Sequence, residues 1–172
     1  MCISFLRNEV INFLSYHALF SLSLQARTTY LFENGIINQQ SCEHAKQAIF
    51  NNDIFDNYKP SPLLKNRYLE TKIEQITGNK IKIIDHPDSG ISGVACTCCQ
   101  FVVFENAEDA IFEICPVCNW QTDTLDKNGY SKLNKSYLTD YKNNIVTKEL
   151  IEQYSDVFIR RYSPTSLKLK QV

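Results

Sequence analysis

Two closely spaced pairs of cysteines constrain this chain more than any other feature of its 172 residues. Five of the seven cysteines lie between Cys96 and Cys118, and four of them form two Cys-x2-Cys pairs separated by fifteen residues. The first pair is Cys96 with Cys99, and the second is Cys115 with Cys118. Each such turn can direct two thiolates at one point, and a hairpin between the turns brings the pairs together. The pattern is typical of sites in which four cysteines bind one metal ion.

We therefore predict a structural Zn²⁺ site whose ligands are Cys96, Cys99, Cys115 and Cys118, with zinc–sulfur distances of about 2.3 Å. Four sulfur ligands leave no open position for water, so this zinc is not expected to be catalytic. Iron in a four-sulfur site satisfies the same geometry. Disulfide or redox chemistry is the other alternative, although thioredoxin-type chemistry expects a single Cys-x2-Cys pair in a βαβ setting.

Three further residues of the cysteine turns carry expectations of their own. Cys98 lies inside the first turn, and we expect it to be an outward or packed thiol, with a redox or ligand-swapping role as the alternative. In the second turn, Pro116 is expected to stiffen the backbone. Asn119 stands where a left-handed backbone is often needed, a conformation that Asn tolerates better than most residues.

Charged residues are distributed unevenly along the chain. Residues 1–82 contain nine Lys and Arg against seven Asp and Glu, and residues 127–172 contain nine against four. Residues 83–126 contain no Lys or Arg. Their acidic residues are Asp85, Asp88, Glu105, Glu108, Asp109, Glu113, Asp123 and Asp126. The cysteine pairs thus lie in an acidic block, which would repel a nucleic-acid backbone and attract a basic protein.

Helical spacing of apolar residues dominates the first half of the chain. Residues 5–33 predict one or two helices that end at Gly35. The segment "NNDIFDNYKPSP", residues 51–62, is rich in Asn, Asp and Pro and is expected to interrupt a short helix. A further helix from about Leu63 is expected to stop at Gly78. This part of the chain therefore predicts helices alone.

The period changes in the second half. Residues 80–84, "KIKII", predict a short strand. "FVVFE" at 101–105 and "IFEIC" at 111–115 predict the two strands of a hairpin whose bases are the cysteine pairs. An apolar stripe from Asn128 onward predicts a helix, and Thr147 is expected to cap a last one.

Three motifs around the cysteines resemble a known family. They are "ACTCCQF", "FEICPVCNWQTD" and "NGYSKLNKSYLTDY". Over about residues 94–145 the chain is similar to the small bacterial cysteine-rich CPCC proteins, whose "EICPVC" core is distinctive. The chain departs from the family at Thr97, Gln100 and Asn119, where the family favours Pro, Gly, and Gly or an aromatic residue.

The resemblance implies a zinc-ribbon-like fold in which the four paired cysteines are the ligands and Trp120 packs against the ribbon. Some members of the family accompany polymorphic toxins as immunity proteins. This association concerns where such proteins occur rather than how they act.

Fold and function follow as expectations. The fold class is α+β, with a helical region over residues 1–85, a zinc-ribbon-like hairpin region over 86–127, and closing C-terminal helices over 128–172, packed together as one unit. We expect a non-enzymatic protein that binds and neutralises a cognate toxin protein with a basic surface, for example a nuclease. The alternative is a zinc-ribbon regulator that binds nucleic acid through basic residues of the C-terminal region.

Other classes have little support in the sequence. The three histidines, His17, His44 and His86, lie in predicted helices or a linker, and no phosphate-binding loop or nucleophile motif accompanies them. No run of about 18 apolar residues predicts a membrane span. A leader-like stretch at 13–24 precedes Ala26, but it has Leu24 where signal-peptide cleavage favours a small residue. We therefore expect a cytoplasmic protein with reduced thiols.

Overall fold

The computed structural model describes residues 2–123 and 129–161. Its chain divides into two compact units, which we call unit 1 and unit 2. Unit 1 comprises Met1–Ser61 and Leu69–His86, and unit 2 comprises Pro62–Tyr68 and the chain from Pro87 onward. The predicted α+β class is confirmed. Within the described residues, no helix combines the length and the apolar character that crossing a membrane requires.

Unit 1 is mainly helical. Its elements are β1 (Ile3–Phe5), α1 (Arg7–Ser21), α2 (Leu24–Glu33), α3 (Cys42–Ala45), a 3-10 turn (Ala48–Phe50), α4 (Asn51–Asn57), the larger part of α5 (Asn66–Thr77) and β2 (Ile81–Ile83). The Ser23 hydroxyl caps α2 by accepting a hydrogen bond from the Ala26 amide. Gly35 follows this helix with a φ of 67°, as predicted for a C-cap. Leu31 and Ile54 are fully buried in a core between α2 and α4.

Two predictions for unit 1 are wrong. The start of the chain is a strand rather than helix, because β1 pairs in parallel with β2, Ile3 opposite Ile81 and Phe5 opposite Ile83. Residues 51–57 form α4 instead of a break. Burial of Ile54 outweighs the weak helix propensity of the neighbouring Asn and Asp residues.

Unit 2 carries the cysteines. Its elements are a 3-10 turn (Asp88–Gly90), β3 (Val94–Ala95), β4 (Val102–Phe104), α6 (Asp109–Phe112), β5 (Tyr130–Ser131), β6 (Ser136–Tyr137), α7 (Leu138–Ile145) and α8 (Lys148–Ser155). β3 and β4 are antiparallel. After α8 the chain runs beside β4, where the Val102 amide donates to the Ile159 carbonyl at 2.8 Å. The predicted cap of the last helix is confirmed, since the Thr147 hydroxyl accepts from the Leu150 amide.

The predicted pairing of "FVVFE" with "IFEIC" is wrong. Val102–Phe104 is a strand, but its partner is β3, and Asp109–Phe112 is helical. Asn106 orders the turn that precedes this helix, because its side-chain oxygen accepts hydrogen bonds from the amides of Glu108 and Asp109 at 2.9 and 3.0 Å. Its side-chain nitrogen donates to the Asp109 carboxylate at 2.8 Å. These hydrogen bonds favour a turn over an extended strand at this point.

The helix predicted from Asn128 begins late. Asn128 lies outside the described residues, and Tyr130–Ser131 pairs with Ser136–Tyr137 in a hairpin before α7 begins at Leu138. The rings of Tyr130 and Tyr137 meet edge to face across this hairpin, with centroids 5.1 Å apart. Such a cross-strand aromatic pair stabilises the strands locally.

Candidate metal centre

The first cysteine turn is closed by backbone hydrogen bonds. The Cys96 amide donates to the Phe101 carbonyl at 2.9 Å, and the Gln100 amide donates to the Cys96 carbonyl at 2.9 Å. Gln100 has a φ of 67°, in the left-handed region. The reversal brings the side chains of Cys96 and Cys99 to the same side of the turn, between β3 and β4.

The second turn repeats the first at an offset of 19 residues, from Cys96 to Cys115. The Cys115 amide donates to the Trp120 carbonyl, and the Asn119 amide donates to the Cys115 carbonyl, both at 2.9 Å. Asn119 has a φ of 59°, which confirms the left-handed backbone predicted for it. The bridge between Ile114 and Gln121 closes this turn as β3 and β4 close the first. Two copies of one backbone motif therefore present the two cysteine pairs.

The four sulfurs of the two turns meet at one point. All four Sγ atoms lie within 4.8 Å of one another, and the four residues are buried. Cys96 and Cys118 have Sγ atoms 3.7 Å apart, and so do Cys99 and Cys115. Sulfurs in a tetrahedral site with metal–sulfur distances of about 2.3 Å are separated by about 3.8 Å. A disulfide has a length of about 2.0 Å, and all seven cysteines are free. The four cysteines can therefore hold a metal ion.

The pKa values of the clustered thiols also favour metal binding. Hydrogen bonds from Cys115, Cys118 and Cys99 hold the pKa of the Cys96 thiol far below its usual value. Hydrogen bonding with Cys115, followed by Cys118 and Cys96 and then burial, raises the pKa of Cys99. Without a cation, the cluster thus stabilises one thiolate while its neighbours keep their protons. A divalent ion held by these four cysteines would favour their thiolate forms, because only thiolates bind the metal.

In each turn, the backbone carbonyl of the second cysteine accepts a hydrogen bond from a side chain of the C-terminal region. The Arg160 guanidinium donates through Nε to the Cys99 carbonyl at 3.0 Å. The Tyr141 hydroxyl donates to the Cys118 carbonyl at 2.9 Å. Burial, and then the negative charge of the nearby cysteines, raises the pKa of Tyr141, so its phenol stays protonated and remains a donor. Arg160 also supplies positive charge close to a site that carries a formal charge of -2 when four thiolates bind a divalent ion.

One aromatic side chain follows each turn and enters the core. Phe101 and Trp120 are almost completely buried. Phe101 packs edge to face on Tyr154 of α8, and Trp120 packs edge to face on Tyr141 of α7, with centroids 6.3 and 5.0 Å apart. The expected packing of Trp120 against the ribbon is confirmed. The aromatic residue directly after each cysteine turn is thus the one that packs against a C-terminal helix, α8 for the first turn and α7 for the second.

Cys98 lies outside the group of four sulfurs. It is fully buried in the same hydrophobic cluster as Phe101 and Trp120, in agreement with the packed thiol expected from the sequence. The sequence also missed two residues of this site, Arg160 and Gln100. With the offset of 19 residues, Gln100 holds the same position in the first turn as Asn119 in the second. This equivalence is the signal that could have predicted the left-handed backbone of Gln100. No local pattern connects Arg160 with Cys99.

Replacement of one ligand tests the metal centre. Cys115→Ser is expected to release the metal and unfold the turns, because structural zinc stabilises small domains by about 10 to 16 kcal/mol. Cys98→Ser is the matched control and is expected to retain about one metal ion per chain. Elemental analysis and circular dichroism measure both effects. Equal metal loss in the two variants contradicts this choice of ligands.

A second substitution tests backbone strain at the first turn. Gln100→Gly is expected to raise the free energy of unfolding by about 1 kcal/mol, because Gly adopts the left-handed region without the steric cost of a side chain. Asn119→Gly is the control and should gain less, since Asn tolerates this region better. Thermal unfolding of the metal-loaded protein measures both. The Gln100 side-chain amide also donates to the Thr97 carbonyl at 2.8 Å. A lower melting temperature for Gln100→Gly would show that losing this contact outweighs any relief of strain, and would contradict the expected gain.

Comparison with known proteins identifies the segment that contains this centre. No curated protein and no solved structure matches the chain. The family model described as Cysteine-rich CPCC matches residues 94–148, which include both cysteine turns, Tyr141 and all of α7. The resemblance seen over residues 94–145 is thereby confirmed for this segment of the chain.

Proposed function

We propose that this chain is a non-enzymatic protein that binds and neutralises a cognate bacterial toxin protein through an acidic surface of unit 2. The observation that carries the proposal is the exposure of two isoleucines, Ile111 and Ile114, within a segment on and beside α6 whose charged residues are all acidic. We further propose that the ion held by the four cysteines is Zn²⁺ and that its role is structural.

Zinc fits the donor set. All four sulfurs lie within 4.8 Å of one another, two of the pairs stand at the 3.7 Å that suits a tetrahedral site, and all four belong to buried cysteines. A bound zinc ion would supply cross-linking of the two turns rather than reaction chemistry, since four protein ligands complete its coordination. The chain's own contribution is to orient the turns through Arg160 and Tyr141.

The acidic surface consists of Glu105, Glu108, Asp109 and Glu113, together with the isoleucines Ile111 and Ile114. Glu105, Glu108 and Glu113 are exposed, and Asp109 is half-buried. Ile111 and Ile114 expose 52% and 58% of their surface. No Lys or Arg occurs anywhere from residue 83 to residue 126. The surface therefore combines exposed apolar side chains with acidic residues and has no basic residue in the same segment.

This combination suits a basic protein partner. Charges at the rim of an interface increase the association rate and discriminate between partners, whereas desolvated apolar groups at the centre provide much of the affinity. Enzymes that act on nucleic acid are basic where they hold phosphates, so an acidic surface with exposed isoleucines complements a nuclease toxin. The presence of immunity proteins among similar CPCC proteins supports the same class of partner.

Nucleic-acid binding has weaker support. The alternative depends on basic residues of the C-terminal region, and two of these are engaged by the fold. Arg160 donates to the Cys99 carbonyl, and Arg161 donates to the Gly93 carbonyl at 2.8 Å. A phosphate backbone would also meet the acidic surface of the same unit.

Charge reversal tests the proposed surface. Glu108→Lys with Glu113→Lys is expected to slow association with the toxin encoded beside this protein by roughly tenfold or more at low salt, because electrostatic steering is lost. Stopped-flow measurements at low and high salt give the rates. The unmodified protein should associate more slowly as salt is raised, because salt screens the attraction.

A matched control carries the same change in charge elsewhere on unit 2. Glu149→Lys with Glu152→Lys alters two exposed residues of α8 and is expected to retain most of the association rate. Equal slowing in both double variants contradicts the assignment of the surface. In a pull-down from cells that express the neighbouring genes, the immobilised protein should capture the toxin. If it captures no partner, the proposed function itself is wrong.

A further inference from the structure

One face of α1 exposes aromatic side chains, and this helix carries no Asp, Glu, Lys or Arg after Glu9. Residues 10–26 contain no Asp, Glu, Lys or Arg. Phe13, Tyr16 and Phe20 expose 40%, 52% and 83% of their surface. His17, also exposed, lies among them. We call these four residues the aromatic face. Their spacing of three, four and seven residues places them on the same side of the helix.

The aromatic face is held in place by ring contacts. Phe13 stacks on His17 with centroids 6.2 Å apart, and Tyr16 stacks on Phe20 with centroids 6.4 Å apart. Tyr16 also contacts Phe55 of α4, with a centroid distance of 4.6 Å. A face ordered in advance loses less conformational entropy when it is covered.

A cavity of about 240 Å³ lies next to Phe13. Its lining is largely apolar and includes Ile3, Phe5, Val10, Phe13 and Ile73. The Glu9 carboxylate also borders the cavity and accepts a hydrogen bond from the Leu6 amide at 2.8 Å. A cavity of about 150 Å³ can hold a benzene molecule, so this one has room for a phenyl ring.

The chemistry of the aromatic face favours a second copy of this chain as its occupant. Helices that lie on membranes carry Lys and Arg on the polar side, and the single basic residue of α1, Arg7, is buried. A basic protein finds no negative charge among the four residues of the face. Two copies, by contrast, bring together uncharged faces that do not repel.

The available area also fits a dimer. The exposed parts of Phe13, Tyr16 and Phe20, with those of Ile3 and Phe5 beside the cavity, amount to roughly 500 Å² when each aromatic ring offers about 200 Å² in full. A stable interface of standard size takes about 800 Å² from each partner, and somewhat more than half of that area, about 450 Å², is nonpolar.

We infer that two copies pair their aromatic faces in antiparallel fashion around a two-fold axis between Tyr16 and His17. An axis at this position brings Phe20 of each copy opposite Phe13 of the other. Phe20, the most exposed of these rings, then enters the apolar cavity beside Phe13 of the other copy. The two contacts are identical by symmetry, as an interface between equal surfaces requires.

Sedimentation equilibrium of the full metal-loaded chain tests this inference. The unmodified protein is expected to dimerise with a dissociation constant in the micromolar range or below. Phe20→Glu is expected to weaken dimerisation by at least about thirtyfold, the loss typical of a central interface residue. Ile49→Glu, which changes another exposed apolar residue of unit 1, is the control and should leave the dimer intact.

Mixing two variants tests the geometry and guards against a fold defect in one of them. Phe13→Lys and Phe20→Glu should each be largely monomeric alone. Their mixture should form a heterodimer, because the introduced ammonium and carboxylate groups meet across the axis. A monomeric unmodified protein, a dimer that tolerates Phe20→Glu, or a mixture that stays monomeric each overturns the inference. So does binding of the unmodified monomer to neutral phosphatidylcholine vesicles through this face.

Discussion

The convergence of four thiols on one point is the interaction on which unit 2 depends. Sulfurs this close can all be ionised only if a cation compensates their charge, because burial and hydrogen bonding raise the pKa of thiols such as Cys99. The segment between the turns contributes a short strand and one turn of helix, and Val102 and Phe104 of the strand are buried in the core of unit 2. A bound metal ion would add stability to this packing by cross-linking the two turns.

The backbone around this centre is built twice. Each turn has a left-handed residue after its second cysteine, and the amide of this residue donates a hydrogen bond to the carbonyl of the first cysteine. A buried aromatic ring comes next in sequence. The C-terminal region contacts the two turns through different residues. Arg160 binds the first turn and Tyr141 binds the second. The packing of α7 and α8 on Trp120 and Phe101 thus ties the C-terminal helices to the metal centre.

Local signals in the sequence predicted the parts that depend on neighbouring residues. The cysteine spacing, Asn119 and the Thr147 cap belong to this group. Long-range pairing could not be predicted in the same way, since β1 becomes a strand only beside β2, at Ile81–Ile83. The helix at Asp109–Phe112 was missed because the Asn106 side chain orders the turn before it, a signal weaker than the β-branched residues nearby. Arg160 reaches Cys99 from 61 residues away, and only folding reveals that contact.

Elemental analysis of the purified chain, with the metal identified, tests the central claim most directly. The account predicts about one zinc ion per chain, lost together with the structure of residues 94–121 when a strong chelator is added. Iron in place of zinc would preserve the four-sulfur centre but change its identity. A metal-free protein that keeps its fold and forms disulfides under mild oxidation would contradict the account, because the cysteines would then serve redox chemistry.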